Sequence, residues 1–205
     1  MAKYKLIYFD FDGGRGEPVR IAFHIAGIEF EDERLNFAEF TAMRESTPFH
    51  SVPVLEIDGT TVTQSNAHCR FVGKLANIYP EDDLQALYCD EVLDVIEEIS
   101  HRISPTMSMK GDEQRTARGK LVEGTLSTYL RGLAGLLKRG GGKYFANGSL
   151  TIADLKVFVQ VRWLRSGKLD HIPKDLVDRL APSLVQHYER VAKDPRVVAY
   201  YASRA

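Results

Sequence analysis

Apolar positions change their spacing near residue 80, and the change divides the chain. Before it, short apolar runs alternate with short amphipathic stretches. Tyr4 to Phe9, rich in Tyr, Ile, Leu and Phe, predicts a strand that ends at the turn signal Asp12-Gly13-Gly14. Pro18 suits the first turn of a helix through Val19, Ala22, Phe23, Ile25 and Ala26, stopped by Gly27. Ile28 to Leu35 predicts a weaker strand and residues 38 to 45 a short helix. Val54 to Ile57, the turn Asp58-Gly59 and Thr60 to Thr63 predict a hairpin with the Asp-Gly signature. Ser65 is expected to cap a helix that carries Cys69, Val72, Leu75 and Ala76 to about Ile78. The predicted order is βαβαββα.

After Tyr79-Pro80 the spacing becomes helical throughout. Tyr88, Val92, Val95, Ile96, Ile99 and Ile103 recur on one face with acids between them, and Leu121, Leu126, Leu130, Leu133 and Leu137 mark a second long amphipathic helix. Pro105 and Gly111 separate the two, and Gly140-Gly141-Gly142 ends the second. Thr151 and Asp154 form a capping-box pattern between Leu150 and Leu155, opening a core helix through Val157, Phe158, Val161 and Leu164. The expected organisation is an α/β domain over 1–79 with a mixed sheet, a linker at 80–83 and an all-α bundle over 84–205.

Composition narrows the partners. The 205 residues are 44% hydrophobic, enough for real cores. Lys+Arg 27 against Asp+Glu 28 gives a net charge of −1, which offers no general attraction for nucleic acid or an anionic membrane. Met1 to Leu6 lacks the apolar stretch of a signal peptide, and no run approaches the roughly 20 apolar residues that span a bilayer. Cys69 and Cys89 are not spaced as C-x-x-C and fall in helical patterns, as reduced, packed thiols do. The expectation is a cytoplasmic protein that engages neither nucleic acid nor membrane.

The run Ser51-Val52-Pro53-Val54-Leu55-Glu56-Ile57-Asp58-Gly59 carries the most chemistry. A strand opening on Pro lacks one ladder donor, and such a Pro is often cis, which turns the preceding backbone outward. Val52 would then pair with the main chain of a peptide ligand. Gln64 and Ser65, at the head of a helix, would offer an amide, a hydroxyl and helix N–H groups to a carboxylate. A small peptide satisfies both.

Tyr8-Phe9, Gly14-Arg15-Gly16-Glu17-Pro18, Thr47-Pro48-Phe49 through Val52-Pro53-Val54-Leu55, Gln64-Ser65-Asn66-Ala67 with Arg70, and Ser149 to Asp154 occur in this order. Together they resemble the cytosolic glutathione S-transferases over essentially the whole chain, most closely the Tyr-type sigma class. The resemblance implies a thioredoxin-like N-terminal domain and an all-α domain that forms the electrophile pocket and part of a homodimer interface. It implies Tyr8 as the catalytic hydroxyl facing the glutathione sulfur, with Arg15 as possible support. Glutathione would be held by Phe40, Arg44, Val52, Pro53, Gln64 and Ser65, and by Glu98 of the partner subunit, with Glu97 adjacent. The electrophile would lie over Phe9, Phe11, Ile103, Met107 and Met109. No metal and no cofactor beyond glutathione as co-substrate is implied.

Three positions depart from that pattern. The loop between Tyr8 and Arg15 is one residue longer and acidic, Ser51 stands where Gln or Lys often contacts glutathione, and His68 replaces an aliphatic residue. Two other readings fit parts of the chain. Leu6 to Gly13 resembles the strand plus D-x-D-G of haloacid-dehalogenase phosphatases, which would make Asp10 and Asp12 magnesium-assisted phosphohydrolase groups. The scaffold also serves non-catalytic proteins of crystallin or ligand-carrier type.

Overall fold

The computed structural model describes residues 2–204. Residues through Tyr79, together with the segment from Pro195 onward, form one compact unit, and Pro80–Asp194 form the other. In the first, β1 (Tyr4–Phe9), β2 (Glu31–Leu35), β3 (Val54–Ile57) and β4 (Thr60–Thr63) make a mixed sheet in the order β2-β1-β3-β4. β1 runs parallel to β2 and antiparallel to β3, with Tyr8 beside Arg34 in the first pairing and Ile7 beside Val54 in the second. Helices α1 (Glu17–Ala26), α2 (Phe37–Met43) and α3 (Ser65–Leu75) complete the thioredoxin-like βαβαββα order. α1 and α3 pack together. Ile7, Leu35 and Val54 form a core cluster on which Phe40, Met43 and Val52 pack.

The last helix of the chain, α10 (Pro195–Ala202), belongs to this unit and packs on α1. Strand β2 begins three residues later than its apolar pattern suggests. Gly27, in the left-handed region at φ 63°, closes α1, and the Ile28 N–H donates to the Phe23 carbonyl at 3.1 Å. That closure takes Ile28 out of the ladder.

In the second unit, α4 (Asp83–Ile103) is capped by Asp82, whose carboxylate accepts from the Gln85 N–H at 2.9 Å. Gly111 opens α5 (Gly111–Leu121) instead of only separating two helices, and a π-helical turn, Val122–Leu126, joins it to α6 (Ser127–Arg139). The leucine series is thus interrupted by one wide turn. α7 (Ile152–Arg165) is the central helix, with every residue from Ile152 to Val161 buried, and it packs on α4 and on α9 (Pro182–Ala192), which α8 (Leu176–Leu180) precedes. Among the described residues no helix is long and apolar enough to cross a membrane.

Candidate active site

Tyr8 sits one residue before the end of β1, buried apart from its rim, and the loop that follows folds back over it. The Arg15 N–H donates to the Tyr8 hydroxyl oxygen at 3.0 Å. An oxygen that accepts from an amide is polarised to donate its own proton more strongly. Two glycines make the approach possible. Gly14 lies at φ 62°, and a Cβ there would strike the Tyr8 hydroxyl; a Cβ at Gly16 would lie 2.5 Å from the ring's Cδ1.

Aromatic rings continue outward from this hydroxyl. Phe9 and Phe11 contact the Tyr8 ring at centroid distances of 5.4 and 5.7 Å. Phe9 is stacked on Phe11 at 6.4 Å and on Phe37 at 6.3 Å, with interplanar angles of 21° and 11°. Phe40 meets Phe9 edge-on at 5.1 Å. Phe37, which the sequence reading did not single out, is 76% exposed, and Phe11 is 47% exposed. Phe9, Phe11 and Phe37 form a near-parallel aromatic ledge at the end of β1, with Tyr8 and Phe40 meeting it at steep angles.

On the other edge of β1, the Val52–Pro53 bond is cis and Pro53 is buried. Among the described residues none hydrogen-bonds to the main chain of Val52. Ser65 is not the cap expected from its sequence position. It is the first residue of α3, buried, and Gln64 occupies the N-cap at φ 76°, ψ 108° without a capping bond from its side chain. A non-glycine residue in that region is strained, a condition that clusters at ligand-binding turns. His68 lies one turn further along α3. Its ring is buried and its Nε2 lies 3.0 Å from the Val62 carbonyl, tying α3 back to β4 across the Gln64 turn. A carbonyl only accepts, so Nε2 carries the proton. Burial, opposed by that one bond, lowers the imidazole to about 4, and the ring is neutral at physiological pH.

Arg44 lies exposed in the 3-10 turn Arg44–Ser46 after α2. In the second unit, Glu97 is bound by the buried Lys156 amine at 2.9 Å, whereas Glu98 is exposed and pairs with Arg102 at 3.5 Å. Ile103 is buried, Met109 is half-buried, and Met107 is exposed with its sulfur 3.2 Å from Arg118 Nη2. Cys69 and Cys89 are both buried and unbridged, and burial pushes the Cys89 thiol up to about 12.

The acidic loop is held by arginines. Arg34 Nη1 lies 3.0 Å from Asp10, and Arg204 Nη2 lies 2.7 Å from Asp12. Among the described residues no group of three or more His, Cys, Asp or Glu is placed to hold a metal ion. The phosphohydrolase reading of Asp10 and Asp12 therefore lacks its geometry: both carboxylates are committed to guanidinium groups.

The first unit is thus a thioredoxin-like sheet with a buried, hydrogen-bonded phenol near the end of its first strand, next to the strand that cis-Pro53 precedes. Residues 4–74 match the glutathione S-transferase N-terminal domain and residues 97–204 match the glutathione S-transferase C-terminal domain. The chain is 30% identical over 204 residues to hematopoietic prostaglandin D synthase of Gallus gallus, covering 100% of this chain and 98% of that protein. It is 29% identical over 209 residues to glutathione S-transferase 3 of Caenorhabditis elegans, with coverages of 100% and 98%. Among solved structures it is similar to prostaglandin synthase D of Nilaparvata lugens, with a TM-score of 0.86, 27% identity, and 99% and 98% of the two chains covered.

The chain belongs to the glutathione S-transferase family. It is a glutathione-using transferase with Tyr8 set at the thiol site, and the non-catalytic reading of the scaffold gives way to this one.

Proposed function

We propose that this transferase joins glutathione to soft, planar aromatic electrophiles. The observation that carries the reading is the continuity of the phenol with the ledge of Phe9, Phe11 and Phe37, since flat π-systems gain roughly 0.5–1.5 kcal/mol per favourable ring contact beyond area burial. The tripeptide lies along the unpartnered main chain of Val52 as an added strand. Its γ-glutamyl carboxylate meets Gln64, Ser65 and the N-terminus of α3, its glycyl carboxylate meets Arg44, and Phe40 flanks it. Its sulfur, as thiolate, accepts from the Tyr8 O–H and attacks an electron-poor carbon.

Replacing Phe37 tests the aromatic part. For Phe37→Ala, KM for 1-chloro-2,4-dinitrobenzene rises about five- to tenfold, the loss of about 1 kcal/mol of ring contact. KM for glutathione and the rate with iodomethane stay at wild-type values. Equal losses with the aromatic and the methyl halide would remove the ledge from the substrate site.

We further propose a homodimer in the cytoplasm, in which the partner subunit's Glu98 takes the α-amino group of glutathione. In its support, Phe49 projects from a positive-φ position and is 75% exposed, Leu84 and Leu87 are 51% and 62% exposed, and Glu98 is left outward while Glu97 is tied to Lys156. Leu84 and Leu87, three residues apart on α4, share one helix face, and an exposed apolar face suits association. Light scattering at micromolar protein is expected to give twice the chain mass; the mass of one chain would exclude the role of Glu98. Two buried, unbridged cysteines suit a reducing compartment. Recovery of the protein in a secretory fraction would overturn that placement.

A further inference from the structure

The acidic loop poses an electrostatic problem for thiol activation. Asp10 and Asp12 follow Tyr8 closely, and a carboxylate near a forming thiolate disfavours it. The unit answers with a set of guanidinium groups drawn from three elements. From α1, Arg20 is wholly buried and donates to the Phe11 and Phe9 carbonyls at 3.1 and 3.2 Å, to Asp32 at 2.8 Å, and lies 3.5 Å from Glu17. From β2, Arg34 stands beside Tyr8 in the sheet register and reaches Asp10 at 3.0 Å, Asp12 at 3.6 Å and Asp32 at 2.7 Å. Just beyond α10, Arg204 reaches Asp12 at 2.7 Å and Glu17 at 3.8 Å, and it hydrogen-bonds the Tyr200 hydroxyl.

Among the described residues, Glu17 lies beside these arginines and accepts from the Tyr200 hydroxyl at 3.2 Å, with Tyr201 as a further partner of Glu17, His24 packed against the Tyr200 ring at 5.6 Å and Arg15 following the loop itself. Burial first, and then the neighbouring Asp12 carboxylate, raise Glu17 above the ordinary carboxylate range against the pull of Arg20, Arg204 and the Tyr201 hydroxyl. For Arg34, burial opposes the charge, but the bonds to Asp10 and Asp32 outweigh it and hold the guanidinium above its ordinary value.

We propose that Arg34 and Arg204 are positioning residues for catalysis: they neutralise Asp10 and Asp12 and draw both carboxylates toward β2 and α10, leaving the field beside Tyr8 favourable to a thiolate. This rests on Tyr8 being the thiol-activating group. An exposed ion pair adds little to stability, but a unit charge left bare about 10 Å from any titrating group, at an effective dielectric of about 20, moves its pKa by roughly one unit before salt screening reduces it. Arginine suits the task because its planar fork holds two acceptors in fixed directions.

The test follows the pH profile of kcat/KM for glutathione in the full-length protein, with 1-chloro-2,4-dinitrobenzene as the electrophile. Arg204→Ala is expected to move the acid limb up by about half to one unit, lowering kcat/KM three- to tenfold near pH 6.5 and converging on wild type near pH 9. Adding Asp12→Asn to Arg204→Ala returns the limb to its wild-type position, because the uncompensated charge is gone. Arg34→Met and its combination with Asp10→Asn behave alike. A lost structural tie would lower the melting temperature of the single and double variants together and leave the limb in place. An unmoved limb in Arg204→Ala, or a double variant that stays shifted, overturns the proposal. Tyr8→Phe run alongside separates the two layers: if it moves the limb and Arg204→Ala does not, only the arginine clasp fails. If neither moves it, the reading of Tyr8 fails as well.

Discussion

Tyr8→Phe is expected to lower conjugation about 10- to 100-fold near pH 6.5 while leaving the fold and glutathione affinity nearly intact. A thiol with an ordinary pKa of about 8.5 is only about 1% ionised there, and the thiolate is the nucleophile. A hydrogen bond that selects the anion lowers the pKa by about one unit for every 1.4 kcal/mol of preference. Phenylalanine keeps the ring contacts with Phe9 and Phe11 and still fills the space that Gly16 leaves, so the loop has no reason to move. What disappears is the O–H and the oxygen that accepts from Arg15. The deficit must therefore depend on pH: near pH 9 the solvent ionises the thiol unaided, and the variant recovers to within a few-fold of wild type. Ultraviolet thiolate absorbance of the glutathione complex, titrated with pH, reads the same shift without an electrophile. Equal rates for variant and wild type at neutral pH would take the hydroxyl out of the chemistry.

Local signals carried the parts of this picture that neighbours in sequence determine. The βαβαββα order followed from short apolar runs, helix stops and turn residues, and the phenol, Pro53 and the Gln64-Ser65 turn each sit in short motifs. The places where sequence reading stopped short are those set by packing over distance. Ile28 has the composition of a strand residue, but the left-handed closure at Gly27 claims its N–H. Ser65 has the chemistry of a cap, but Gln64 takes the capping position in a positive-φ conformation that residue type alone does not announce. Arg20 occurs in an amphipathic helix pattern, where an arginine ordinarily faces water; its burial depends on carbonyls of Phe9 and Phe11 and on Asp32, which the sheet topology brings to it. Phe37 belongs to a short helix too brief for periodicity to reveal its face. Arg204 meets Asp12 across nearly the whole length of the chain, and no local pattern encodes that pairing.

Asp154→Ala is expected to act on stability with equal force and on the chemistry hardly at all. The Asp154 carboxylate, wholly buried, accepts from the Thr151 N–H at 2.7 Å, the Thr151 hydroxyl at 2.6 Å, the Phe145 N–H at 3.1 Å and His187 Nε2 at 2.8 Å. It therefore does more than close the capping box predicted for α7: it also joins the segment before that helix to α9. Removing it strands several buried donors, each costing about 1–3 kcal/mol if left unmet, and partial relaxation brings the total to roughly 3–5 kcal/mol. Domains of this size hold about 5–15 kcal/mol in all, so the melting temperature should fall by about 6–20 °C and the denaturant midpoint with it. Asp154→Asn keeps the shape but turns an N–H₂ toward groups that are themselves donors, so it recovers only part of the loss. Glutathione turnover per folded molecule, measured well below the transition, should match wild type in both variants. A variant that melts normally but turns over slowly would show that the α7 cap reaches the chemistry, and would contradict the division drawn between a helix that holds the all-α unit together and a first unit that activates the thiol.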